Sequence, residues 1–92
     1  MKLLKFYAPW CGQCKVLTQR LEENPPMVEI ESIDVDDEKN EELVSSYNIR
    51  NLPMLFLVDD EGKTLHQWHG IVATTDIDEV IHNKLEERHE TN

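Results

Sequence analysis

Long apolar runs are missing from this 92-residue chain. Nothing approaches the roughly 18 consecutive apolar residues of a membrane-spanning helix, so no such span is expected. The opening stretch, Met1-Lys2-Leu3-Leu4-Lys5, is too short and too soon broken by charge to read as a signal peptide, and a cytoplasmic location is expected. Basic residues are scarce: 9 Lys and Arg stand against 19 Asp and Glu, a net charge of −10. Phosphate contacts are made by Lys and Arg, so nucleic acid is not an expected ligand. Cysteine is limited to Cys11 and Cys14. A reducing compartment disfavours a permanent bridge between them, and their spacing points to metal or redox chemistry instead.

What is present suffices for one modest core. The chain is 39% hydrophobic and 30% charged, and its length excludes a second independent core, so residues 1–92 are expected to form a single domain. The apolar residues come in blocks such as Leu52 to Val58, which a disordered chain has no need of. The acids Asp34, Asp36, Asp37, Glu38, Glu41 and Glu42 read as a solvated helix face rather than a docking site.

Lys2 to Ala8 mixes Leu3, Leu4, Phe6 and Tyr7 without helical period and ends at Pro9, which predicts a short, largely buried strand. From Cys11 the apolar positions Cys14, Leu17 and Leu21 fall on one helical face, and Asn24-Pro25-Pro26 stops the helix. Met27 to Val35 reads as a second strand. Asp36 and Asp37 then cap a short helix carrying Leu43, Val44 and Tyr47, with Asn48 closing it in a left-handed cap. Met54 to Val58 and Lys63 to Trp68 flank the turn Asp59-Asp60-Glu61-Gly62 and predict an antiparallel hairpin. Thr74 and Thr75 are candidate caps of a last amphipathic helix with Ile77, Val80, Ile81 and Leu85 on its sheet-facing side, and Glu86 to Asn92 reads as a frayed polar tail. The order β-α-β-α-β-β-α implies an α/β fold: a mixed four-stranded sheet with helices on both faces.

The chemistry concentrates at Cys11-Gly12-Gln13-Cys14, where strand meets helix. Cys11 sits at the helix N-terminus, among unpaired backbone N–H groups and the positive end of the dipole. Such placement lowers a thiol pKa from roughly 8.5 to about 3.5–7.5 and favours the nucleophilic thiolate. Cys11 is therefore the expected attacking thiol. Cys14, one turn further in, is the expected resolving thiol. Half of a zinc site is the rival reading, but a closed site needs four ligands. His66 and His69 belong near the last strand, His82 and His89 to the final helix and tail, and no spacing gathers them at the cysteines, so redox is favoured and no metal is expected.

Trp10-Cys11-Gly12-Gln13-Cys14-Lys15 resembles the active-site motif of thioredoxins, and Tyr47-Asn48-Ile49-Arg50-Asn51-Leu52-Pro53 resembles their second signature. The resemblance covers nearly the whole chain. It implies a redox disulfide Cys11–Cys14, a cis Leu52–Pro53 bond beside the pair, and a substrate groove completed by Trp10, Leu52, His69 and Gly70. It further implies disulfide-containing proteins as partners, no bound cofactor, a monomer, and electrons drawn from NADPH through a thioredoxin reductase-like enzyme. The chain starts at what is the family's second strand, implying a minimal, glutaredoxin-sized version of the fold. Its Met27 to Val35 strand becomes a sheet edge, with Glu29, Glu31 and Asp34 repelling further pairing.

Departures from the family pattern carry expectations of their own. Gln13 replaces a usual proline between the cysteines, which implies a weaker reductant. Lys5 stands where the family has a buried acid, and Ser32 where that acid's lysine partner falls. Lys5 can tune Cys14, pair with Asp34 or reach solvent, and Lys15 can add positive potential near Cys11. Asn48 and Asn51 replace glycines at positions of positive φ. Two alternatives stand beside a thioredoxin-like oxidoreductase. One is a glutathione-dependent, glutaredoxin-like enzyme, disfavoured by His69-Gly70-Ile71-Val72 where a Gly-Gly and an acid are usual. The other is a non-catalytic binding module.

Overall fold

The computed structural model describes residues 1–90, with side chains to Glu87. Four strands form one sheet in the order β2-β1-β3-β4, with β1 at Lys2–Tyr7, β2 at Ile30–Asp34, β3 at Met54–Val58 and β4 at Thr64–His69. β1 pairs parallel to β2 and antiparallel to β3, and β3 pairs antiparallel to β4. The helices are α1 at Gly12–Glu23, α2 at Glu41–Ser46 and α3 at Thr74–Glu90, with a single 3₁₀ turn at Glu38–Asn40 ahead of α2. Among the described residues no helix is long and apolar enough to cross a membrane.

β1 lacks alternation because it lies inside the sheet with both faces covered. Leu3 points to one core with Leu55 and Leu57 of β3, Leu17 and Leu21 of α1, and Ile77 and Ile81 of α3. Leu4 and Phe6 point the other way, to Ile33, Phe56 and Val58, where Leu43, Val44 and Tyr47 pack over them. Phe6, Tyr47 and Phe56 meet there at centroid separations of 4.8–5.5 Å, within the range of favourable edge-on and tilted aromatic pairs. Helices α1 and α3 thus cover one face and α2 the other.

Several boundaries differ from the sequence reading. Met27 to Glu29 stay outside β2: the Met27 backbone N–H donates to Asp78 Oδ1 of α3 at 2.9 Å, so the chain joins the sheet only from Glu29, whose carbonyl accepts the Leu3 N–H of β1 at 2.8 Å. β4 is shifted one residue later, and a register irregularity between Leu57 and Val58 sets Leu65 and Trp68, three apart, against the same core. Asp36 is not a cap. Asp37 is, its carboxylate accepting the Lys39 N–H at 3.1 Å. Neither Thr74 nor Thr75 caps α3; the first carbonyl is that of Ala73, and the Thr74 hydroxyl donates to the Asn24 carbonyl across the face. Helix α3 continues to Glu90, so the polar stretch from Glu86 is helical rather than frayed, and Leu85, 40% exposed, has turned off the sheet. Thr91 and Asn92 lie outside the described residues.

The edge strand β2 is less repulsive than expected. Lys2 Nζ lies 2.8 Å from Glu31 Oε1, and Asp34 Oδ1 is engaged by the Asp36 N–H at 2.9 Å.

Candidate active site

Parallel pairing of β1 with β2 brings their C-terminal ends to one rim of the sheet, and β3, antiparallel to β1, begins there. The rim therefore collects the segments after β1 and β2 and before β3. Those segments hold Trp10 to Cys14, Asp36 and Leu52-Pro53.

Cys11 is the N-cap of α1. Its backbone is extended, and its sulfur accepts the Cys14 N–H at 3.1 Å. A cap of this kind satisfies one orphan donor of the first turn and sets the sulfur at the positive end of the helix. Cys14 lies one turn in. The two Cα atoms are 5.2 Å apart, inside the usual disulfide span, and the sulfurs are joined. Cys11 is 8% exposed and Cys14 2%, so Cys11 is the sulfur nearer the surface and Cys14 faces the core with Ala8.

The Leu52–Pro53 peptide bond is cis, and Pro53 is fully buried. The Gly70 N–H, at a φ of +78°, donates to the Pro53 carbonyl at 2.9 Å, while His69 pairs with Met54. Gly70 is therefore locked to the cis-proline turn, with His69 on the adjacent rung. Trp10, 70% exposed, extends from the rim, and its Nε1 donates to Asp36 Oδ2 at 2.7 Å. A hollow of about 430 Å³ is lined by Trp10, Cys11, Val35, Ile49, Arg50 and Leu52, among others. It places an apolar floor directly beside the outer sulfur.

Other predicted residues lie elsewhere. Gln13 and Lys15 are exposed. Lys15 lines a separate cleft, on the Cys14 side of α1, so it is not part of the hollow beside Cys11. Lys5 is neither paired with Asp34 nor exposed: at 6% exposure it is the buried charged residue of the core, donating to Thr18 Oγ1 at 2.7 Å. Burial pulls its ammonium below the ordinary lysine value, with Glu22 opposing. Asn48 has a φ of +54°, whereas Asn51 is not in the left-handed region.

Sequence reasoning missed Asp36 as the tether of Trp10 and Thr18 as the acceptor for Lys5. Both had a signal. Asp36 follows the strand that pairs with β1, and Thr18 stands four residues after Cys14 on the same helical face.

A sulfur pair at a helix head, one member outward beside an apolar hollow and a cis-proline turn, defines a dithiol–disulfide redox centre. Comparison with known proteins gives the lineage. The Thioredoxin family model matches residues 1–83. A thioredoxin variant from Halobacterium salinarum is 31% identical with a TM-score of 0.74, covering 89% of this chain and 72% of that one. A Fasciola hepatica thioredoxin is 27% identical with a TM-score of 0.71, covering 88% of this chain and 78% of its own. A protein disulfide-isomerase from Hordeum vulgare is 35% identical over an alignment of 75 positions that covers 74% of this chain but only 15% of the relative. The chain belongs to the thioredoxin family, and Cys11 and Cys14 form its dithiol–disulfide pair.

Proposed function

We propose that this chain reduces disulfides of other proteins. The observation that carries the reading is Cys11 as helix N-cap beside the Trp10–Leu52 hollow: an activated sulfur with an apolar surface on which an extended partner segment can lie. The reduced Cys11 thiolate attacks one sulfur of a partner disulfide, and the other partner sulfur leaves as a thiolate. Cys14 then loses its proton and attacks the Cys11 sulfur, forming the Cys11–Cys14 bond and releasing the second partner thiolate. The partner gains two electrons and the pair loses two. The cis-proline turn, held by Gly70, presents backbone beside the sulfurs for a strand-like contact, which favours breadth over side-chain specificity.

Both cysteines belong to the redox pair and none is left for a structural bridge, which supports work in a reducing, cytoplasmic compartment. There the monomer draws electrons from NADPH through a thioredoxin reductase-like enzyme and contributes to electron transport and cell redox homeostasis. Reduction of insulin in the presence of a dithiol tests the activity. Wild type accelerates it, and Cys11→Ser falls to the uncatalysed rate; equal rates from both contradict the proposal and leave a binding module.

A further inference from the structure

Lys5 is buried in a sheet whose other inward residues are apolar, and no carboxylate lies within ion-pair distance of it among the described residues. Its Nζ is held between Thr18 Oγ1, at 2.7 Å, and the Tyr7 ring, 5.7 Å from the centroid. Thr18 and Tyr7 are both walls of a cleft of about 320 Å³ on the inner side of α1, lined also by Ala8, Cys14, Lys15 and Glu22. Cys14 and Thr18 are i, i+4 neighbours, whose Cβ atoms lie about 5–6 Å apart on a helix. Lys5, the one buried charged side chain among the described residues, is thus joined through Thr18 to the helical face that carries Cys14, the sulfur further from the surface.

We propose that Lys5 is an electrostatic partner of Cys14, stabilising its thiolate at the step in which Cys14 resolves the mixed disulfide. The inference rests on the redox reading given above and assigns a regulator to its second half-reaction. In that step the Cys14 thiol releases its proton to water in the cleft. The resulting thiolate attacks Cys11 Sγ, the Cys11–partner bond breaks, and the partner sulfur departs with the electron pair. An ammonium close to the sulfur, in surroundings less polarisable than water, lowers the cost of the charged intermediate without touching it. The charged and titratable groups facing Lys5 are few: Glu22 and Lys15 from α1 and Tyr7 from its own strand. Its cross-strand partners, Ser32 and Leu55, carry no charge. Lys15 is exposed to solvent and screened, so Lys5 dominates.

The test isolates Cys14. In a Cys11→Ser background, where no partner disulfide and no turnover are needed, the Cys14 alkylation rate is followed against pH. Replacing Lys5 by Met, or by Gln if the Met variant fails to fold, is expected to raise the Cys14 midpoint by about one pH unit, a tenfold loss of acidity. Lys5→Arg is expected to restore it, and Lys15→Met to move it less. With Cys11 present, resolution of a preformed mixed disulfide at pH 7 is expected to slow about threefold, because the tenfold loss of thiolate is partly offset by its greater nucleophilicity. An unchanged midpoint in Lys5→Met, or an equal shift in Lys15→Met, overturns the inference. Failure of wild type to reduce insulin overturns the functional reading instead, and the two results are obtained separately.

Discussion

Three side chains near the head of α1 concentrate the ionisable groups of the site: two sulfurs and one buried ammonium. The ammonium also bears on stability. Burial holds Lys5 below its ordinary value, so between the lowered and the ordinary value the unfolded chain binds more protons than the folded one, and stability rises with pH across that window. Below the window the full penalty of the buried charge is present. Lys5→Met removes the penalty, and at pH 7 it is expected to stabilise the fold by on the order of 1 kcal/mol, roughly 4–8 °C in Tm for a chain of this size. The gain is expected to shrink as pH climbs toward the ordinary lysine range. Thermal unfolding of both proteins at neutral and alkaline pH checks this, and a Met variant less stable at pH 7 would show that Lys5 holds the fold together instead.

At the scale of the elements, the cis-proline turn depends on how α2 stops. Asn48 takes the left-handed conformation after Tyr47, whose own N–H closes on the Leu43 carbonyl. Left-handed backbone costs a residue with a Cβ roughly 1–2 kcal/mol, which Asn tolerates best after Gly. Asn48→Val is therefore expected to lose about 1–2 kcal/mol in urea unfolding. Asn51→Val, at a position of ordinary φ, is expected to stay within about 0.5 kcal/mol of wild type. The two asparagines look alike in the sequence, and only the chain path separates them.

The same distinction runs through the rest of the fold. Element order and type were legible, because Leu17 and Leu21 keep a helical period and Met54 to Val58 a strand-length apolar run. So was the strand-to-helix junction at Cys11, from Pro9 before it and the periodic face after it. Ends set by tertiary contacts were not. Asp78 draws Met27 away from β2, and the irregular register at Leu57 and Val58 shifts β4. The polar composition after Leu85 conceals a helix that continues to Glu90. In the site, the cysteines were visible from their spacing, and Pro53 from the resemblance of residues 47–53 to the thioredoxins' second signature. The Trp10–Asp36 and Lys5–Thr18 contacts join residues 26 and 13 positions apart, and their trace in the sequence is positional alone: Asp36 follows the second strand, and Thr18 shares a helical face with Cys14.

Seen whole, the molecule is a sheet that delivers three chain segments to one rim. The β1-α1-β2 crossover between parallel strands sets α1 with its head at that rim, and the antiparallel β3 returns the cis-proline to it. All of the chemistry presumes that this architecture makes Cys11 the readily ionised sulfur and keeps Cys14 back. Alkylation of the fully reduced wild-type protein as a function of pH, with the modified cysteine identified by mass spectrometry, tests that presumption most directly. The expected result is first modification at Cys11 with a midpoint at least one unit below the roughly 8.5 of a free cysteine. A midpoint at the free-cysteine value, or equal modification of Cys11 and Cys14, contradicts it.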